Sequence, residues 1–262
     1  MNYKIIGHII KIILFVEAVF MIPAMLLCLF DGDSAAAISF GITILLILAA
    51  VCVLEVLCRN RSDKFFAKEG LITTGASWIF MSLFGALPFW FCKEIPNFVD
   101  AFFEIVSGFT TTGASILTDI EALPRGLLYW RSFSHWLGGM GVLVFILAIV
   151  PLSSKGAGYS MHLMRAESPG PDVGKLVPKI RTTAKILYLI YFGITVLNVV
   201  FLMFGGISLF DALCTAFGTA GTGGFSIKND SMMSFSPYVQ GVCTVFMLLF
   251  GEIGRASCRE RV

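Results

Sequence analysis

Threonine and glycine cluster twice in this chain, each time just beyond a short apolar stretch. Thr110-Thr111-Thr112-Gly113 follows Phe98–Phe109, and Gly221-Thr222-Gly223-Gly224 follows the stretch from Leu209 to Phe217. These residue types bring no general acid or base; what they offer is backbone. Glycine reaches φ > 0 at no steric cost. Consecutive carbonyls can then turn toward one axis and replace the water around a dehydrated cation. A cation site is expected at Thr111, Thr112, Gly113, Thr222, Gly223 and Gly224, with Thr110 and Gly221 opening the two loops. A helix that ends at such a loop also aims its partially negative carboxyl end at the cation.

The two clusters are copies of one unit. The segment from Asp100 to Ile116 aligns without gaps to the segment from Asp211 to Ile227. Asp-Ala at the start, Thr111 with Thr222, Gly113 with Gly224, Ser115 with Ser226 and Ile116 with Ile227 coincide at a constant offset. Internal repeats of this kind are a common way to build a membrane transporter. The pentapeptide Thr73-Thr74-Gly75-Ala76-Ser77 repeats the spelling of Thr111–Ser115. It follows the charged Lys68-Glu69-Gly70 with no short helix before it, and so reads as the start of a spanning helix in which small residues permit close packing.

The elements that must position these loops follow from hydropathy. The 262 residues are 57% hydrophobic and only 14% charged, against roughly 25% charged in an ordinary soluble domain. So few charges cannot cover a water-soluble surface, which excludes a soluble enzyme, and a net charge of +2 gives no reason to expect a nucleic-acid partner. A spanning helix needs about 20 apolar residues. Runs that satisfy or approach this are Ile5–Phe30, Ala36–Leu57, Leu71–Cys92, Leu127–Val150 and Ala184–Gly206, with a sixth from Pro237 to Gly251. The first run is too long for a signal-peptide core and lacks a cleavage pattern, so it reads as a retained helix. Phe98–Phe109 and Leu209–Phe217 reach only about 14–18 Å, roughly half the hydrocarbon thickness. They are half-helices. The fold class is an all-α integral membrane protein built from pore-loop repeats (helix, half-helix, filter loop, helix).

Lysine and arginine alternate in density along the connections. Lys4, Lys11, Arg59, Arg61, Lys64, Lys68, Lys155, Arg165, Lys175, Lys179, Arg181 and Lys185 lie on one side of the predicted spans. Lys93, Arg125, Arg131 and Lys228 lie on the other. The positive-inside rule puts the amino terminus in the cytoplasm and both half-helices at the outer face. The organisation is then a two-helix segment (1–69), a first repeat (70–152), a cytoplasmic linker (153–182) containing Ser168-Pro169-Gly170-Pro171, and a second repeat (183–251). Residues Glu252–Val262 resemble an in-frame translation of a sequencing-adapter oligonucleotide, so an artefactual tail is expected there. On that reading the chain stops inside the second of an expected four repeats.

Together these features resemble a known family. Gly85-Ala86-Leu87-Pro88-Phe89, the loop Ser107-Gly108-Phe109-Thr110-Thr111-Thr112-Gly113-Ala114-Ser115, the run His135-Trp136-Leu137-Gly138-Gly139-Met140-Gly141 and the second loop Gly221-Thr222-Gly223-Gly224-Phe225-Ser226 are similar to the Trk-type potassium uptake proteins. The likeness is to the TrkH branch of the Trk/Ktr/HKT superfamily. The resemblance implies K+ as the transported ion, no covalently bound cofactor, and four helix-loop-helix repeats around one pore. It also implies a homodimer in a bacterial inner membrane, gated by a cytoplasmic nucleotide-binding subunit of TrkA type. A Na+-coupled or Na+-conducting Ktr/HKT-like transporter is the alternative, since similar filters serve both.

Other polar residues carry weaker signals. Glu104, in the first half-helix, could lend negative potential to the cation path or act as an interior anchor; Thr215 stands at the equivalent place, so no such role is symmetric. His135 beside Trp136 reads as a packing residue, and Glu17 and Glu55 lie away from the expected pore. An intramembrane hydrolase using Ser115 or Ser134 with His135 fails on geometry: neighbours on a helix point about 100° apart, and a nucleophile needs its base within hydrogen-bond reach. The seven cysteines show no metal-ligand spacing and read as small packing residues.

The charge asymmetry predicts topology. Cysteine-accessibility labelling of the 153–182 linker should report a cytoplasmic location, and labelling between Ala122 and Gly126 an external one; an external linker would overturn the placement of both loops.

Overall fold

Every long apolar run that the computed structural model describes is helical; the description covers residues 2–59, 67–141 and 177–259. Helix α1 (Tyr3–Phe30) continues through Pro23 and stops where Gly32 takes φ +78°. Asp33 then caps α2 (Ser34–Leu57) by accepting a hydrogen bond from Ala36 N–H at 3.1 Å, so the two helices form a tight antiparallel hairpin. Helix α3 (Ala67–Phe91) ends before a turn in which Lys93 sits at φ +66°. Helix α4 (Phe98–Phe109) is capped by Asn97, whose side chain accepts from Val99 N–H. Helix α5 (Arg125–Gly139) starts after Pro124. Beyond it come α6 (Val177–Phe204), α7 (Leu209–Ala220) and α8 (Pro237–Arg259). Among the described residues there is no strand.

Among the described residues, four helices, α1, α2, α3 and α6, are long and apolar enough to cross a membrane. Their outward faces carry bare hydrophobic side chains, among them Leu45, Val56, Leu189, Phe192 and Leu197. With lipid as the solvent such faces carry no penalty. Helices α4 and α7 have 12 residues each, about 18 Å, and are the expected half-helices.

The core gathers around α1 and α5. Helix α1 packs on α2, α3 and α5, and α5 packs on both α4 and α7. Ile9, Ile13, Met21, Phe40, Phe109 and Trp130 are among its buried side chains. Phe133 of α5 stands at a crossing of aromatic contacts with Phe20 of α1 and Phe217 of α7. Several polar groups inside this core are paired helix to helix, which removes the cost of burying them away from water. Trp130 Nε1 donates to the Gly85 carbonyl of α3 at 3.0 Å, Trp136 Nε1 to Thr195 Oγ1 of α6 at 3.1 Å, and Tyr191 hydroxyl to the Trp136 carbonyl at 2.9 Å. A smaller cluster of Leu202, Ala212, Ala216, Val239 and Cys243 joins α6, α7 and α8.

Three expectations change. The run Leu127–Val150 is not one described helix: α5 ends at Gly139 and Gly141 turns to φ +75°, because three glycines in four residues remove both propensity and the barrier to a left-handed turn. Residues 142–150 lie outside the described residues, as do 153–176 of the linker. Arg131, counted above among the outer connections, is buried inside α5. The pentapeptide Thr73–Ser77 does lie within α3, with the Thr73, Thr74 and Ser77 hydroxyls bonded back to carbonyls four residues earlier. Gly75 itself, however, is exposed with nothing within 4 Å of a Cβ placed there, so close packing is not its role.

Candidate functional site

The gapless sequence repeat is also a repeat of backbone conformation. Thr111 and Thr222 both adopt φ +54°, and Gly113 and Gly224 adopt +75° and +84°. The residues that close the half-helices match as well: Thr110 has φ −82° and Gly221 −72°. A threonine at positive φ is uncommon and costs energy unless its surroundings hold it. Two threonines at corresponding positions share that conformation.

What holds the first loop is a run of hydrogen bonds into the last turn of α4. Thr110 N–H donates to Val106 O at 2.9 Å, Thr111 N–H to Gly108 O at 3.0 Å, Thr112 N–H to Ser107 O at 3.0 Å, and Gly113 N–H to the same oxygen at 3.5 Å. In a trans peptide N–H and C=O point in opposite directions. The carbonyls of Phe109, Thr110, Thr111 and Thr112 are therefore turned away from the half-helix. In the second loop Gly221 N–H donates to Phe217 O at 3.1 Å and Thr222 N–H to Thr219 O at 3.0 Å, which turns the Ala220 and Gly221 carbonyls outward in the same manner. Threonine hydroxyls take little part: Thr110 Oγ1 donates to Val106 O and lies 2.8 Å from Thr112 Oγ1.

Helix α5 is the seat for both loops, and its glycines are what permit it. A Cβ on Gly138 would fall on the Phe109 carbonyl and lie 3.1 Å from Thr111 Cγ2; a Cβ on Gly139 would lie 3.1 Å from both Ala220 O and Gly221 Cα. The loops also meet each other: a Cβ on Gly113 would coincide with the Gly223 carbonyl, and one on Gly223 would meet the Thr111 carbonyl. Thr111, Gly113 and Gly223 are thus brought together, and Gly221 lies against Gly139. Gly224, with nothing within 4 Å of its Cβ position, stands apart from this contact.

Glu104 points into the protein interior. Its carboxylate is fully buried; it accepts from Ser115 Oγ at 2.9 Å, from Ile116 N–H at 2.9 Å and from Arg131 Nε at 2.6 Å. Arg131 continues across: its Nη1 donates to the Ser226 carbonyl at 2.8 Å, and its guanidinium lies 3.8 Å over the Phe225 ring. Ser115 and Ser226 are repeat partners. Each also turns its own return limb, Ser115 Oγ accepting from Leu117 N–H and Ser226 Oγ from Lys228 N–H. One buried ion pair therefore fastens matching points of the two loops. The sequence held a signal for this, because Arg131 lies within the apolar run Leu127–Val150, and an ionisable residue inside a membrane segment has a partner to be found.

At the rim the two return limbs are tied again. Asn229 Oδ1 accepts from Ile120 N–H at 2.6 Å, Asn229 Nδ2 donates to Asp119 at 2.8 Å, and Lys228 Nζ lies 3.0 Å from Glu121. The hydrogen bonds from Lys228 and from Asn229 N–H hold the Glu121 carboxyl below its ordinary range, and Glu121 raises the Lys228 ammonium. The bridge is complete at intermediate pH; it is lost on acidification as Glu121 takes up a proton, and in strong alkali as Lys228 gives one up. No group of three or more His, Cys, Asp or Glu side chains suited to a metal occurs among the described residues. Backbone oxygen is the chemistry this site presents.

The chain matches the family model TrkH, described as a cation transport protein, over residues 37–254. It is 36% identical over 255 residues to the Trk system potassium uptake protein TrkH of Salmonella typhimurium, covering 96% of this chain and 52% of that protein. To the Trk system potassium uptake protein TrkG of Escherichia coli (strain K12) it is 32% identical over 251 residues, covering 95% and 51%. The crystal structure of the potassium transporter TrkH from Vibrio parahaemolyticus superposes with a TM-score of 0.78 at 30% identity, covering 95% of this chain and 50% of that one. The chain spans about half the length of the curated relatives it matches.

The ion pair generates a prediction. Glu104→Leu or Arg131→Leu alone should cost about 3–5 kcal/mol, because each strands a buried charge, whereas the double substitution should cost less than either single one. Thermal unfolding in detergent checks this; a double variant that loses the sum of the two singles would show that the charges do not act as a pair.

Proposed function

The chain belongs to the TrkH cation-transport family, and on that premise we propose that it conducts potassium into the cell through a filter of backbone carbonyls, as the pore-forming subunit of a Trk-type system. The observation that carries this reading is the recurrence of one unusual backbone in both loops, with threonine and then glycine at positive φ and N–H groups folded back onto the half-helix. Oxygens so exposed are the ligands a dehydrated cation needs, and the C-terminal ends of α4 and α7 add favourable potential. The filter comprises Thr110, Thr111, Thr112 and Gly113 with Gly221, Thr222, Gly223 and Gly224. K+ is held by Thr111, Thr112, Gly113, Thr222, Gly223 and Gly224.

A closed filter needs oxygen on every side. The proposal is that the two loops of this chain make half of a four-loop ring, within an organisation of a two-helix segment (1–69), a first repeat (70–152), a cytoplasmic linker (153–182) and a second repeat (183–251). The working assembly is a homodimer in the bacterial inner membrane, amino terminus in the cytoplasm, regulated by a nucleotide-binding subunit of TrkA type. The lysine and arginine asymmetry supports that orientation, and the apolar outer faces of α1, α2, α3 and α6 support the bilayer.

Two experiments test this. Residues 1–262 alone should not rescue growth of a potassium-uptake-deficient strain at low K+, while the uninterrupted coding sequence should; rescue by the 262 residues alone would refute this, unless cross-linking shows two copies pairing to complete a four-loop ring. In the uninterrupted protein, Gly113→Ser should lower the ratio of potassium to sodium uptake, since it adds a side chain at φ +75° against the Gly223 carbonyl. Gly75→Ser, in open space on α3, should leave that ratio unchanged. Equal effects of the two would reject position in a pore loop as the cause, and a wild-type preference for sodium would favour the sodium-conducting alternative.

A further inference from the structure

His135 is fully buried in α5, one turn beyond Arg131, and the ion pair does not use it. Neither ring nitrogen makes a hydrogen bond of normal geometry, although the Gly108 backbone of α4 faces the ring. On the other side lies the second loop. A Cβ on Gly221 would fall on the imidazole, and a Cβ on Gly223 would meet both the imidazole and the Thr111 carbonyl of the first loop. The ring stacks at a tilt on Phe225, with centroids 4.7 Å apart. The imidazole thus fills the space between the end of the first half-helix and the backbone of the second loop, at the point where the loops touch.

We propose that His135 is a positioning residue for cation selectivity: its ring is the spacer on which Gly221–Gly223 rests, and its volume sets the distance between the carbonyls of the two loops. The assignment rests on the potassium-filter reading above. A filter discriminates between K+ and the smaller Na+ through the placement of its oxygens. Interiors are packed closely enough that deleting a ring leaves a void into which neighbours shift. The neighbours here are filter backbone, and glycine-rich backbone at that, with little side-chain packing of its own to resist. The ring has no hydrogen bond of normal geometry to the loop backbone it abuts. Shape is what remains.

The experiment uses the uninterrupted protein, with K+ and Na+ uptake measured beside abundance in the membrane. His135→Ala should lower the K+ to Na+ uptake ratio tenfold or more, while His135→Leu, which refills the space without polar atoms, should recover most of it. Gly221→Ala should also lower the ratio, because its methyl group collides with the ring; combined with His135→Ala, the methyl enters vacated space and the ratio should rise above that of either single variant. An unchanged ratio in His135→Ala overturns the proposal, and so does an equal loss in His135→Leu, or additive losses in the double variant. If His135→Ala fails to accumulate, His135→Leu set against Gly221→Ala decides: losses of equal size overturn the spacer. Wild-type protein without any preference for K+ would overturn the potassium reading and this assignment with it.

Discussion

Between Glu104 and Arg131 a carboxylate and a guanidinium, both removed from water, meet at 2.6 Å. Neither charge is tolerable alone in such a place, and a buried pair is retained only where its remaining hydrogen-bonding capacity is used. Here it is used on the loops. Ser115 Oγ and Ile116 N–H fill the carboxylate, while the Ser226 carbonyl and the Phe225 ring receive the guanidinium. The electrostatic demand of one ion pair thereby fixes the return limbs of two polypeptide loops at equivalent residues. Helix α5 carries the arginine and α4 the glutamate, so the spacing of these helices becomes the spacing of the loops.

The loops need such a fastening because their backbone is costly. Thr111 and Thr222 sit at positive φ, a conformation that persists only when its surroundings dictate it. The half-helices dictate it from one end, by taking the N–H groups of the loop onto their last carbonyls. Arg131 and Glu104 do so from the other, and the rim contacts of Asn229 and Glu121 add a third point. Irregular backbone at membrane depth survives only when it is enclosed by protein or lines a polar path. α5 supplies the enclosure, presenting glycine at 138 and 139 where loop carbonyls come closest.

The two repeats are alike in backbone and unlike in support. Glu104 corresponds to Thr215, so only the first half-helix carries a carboxylate at that place, and the second loop borrows its tether from a helix of the first repeat. His135 follows the same pattern, belonging to the first repeat and bearing on the backbone of the second. One consequence is that neither loop is set independently: a change in α5 is felt on both sides of the site.

Much of this was written in the chain itself. The spans, the two half-helices and the gapless repeat are local properties, decided by how many apolar residues occur in a row and where threonine and glycine interrupt them. The lipid face needs no particular partner, so composition suffices to determine it. The shared spelling of Thr73–Ser77 and Thr111–Ser115 was also separable by context, since a capped half-helix precedes only one of them. What the sequence could not decide was which distant groups meet. Arg131 was counted with the outer charges because its place in the series of connections does not reveal that it points inward to Glu104. The end of α5 at Gly139, the seating of both loops on Gly138 and Gly139, and the imidazole under Gly221–Gly223 depend on how helices cross. Crossing is set by packing summed over many side chains, and no single stretch of sequence contains it.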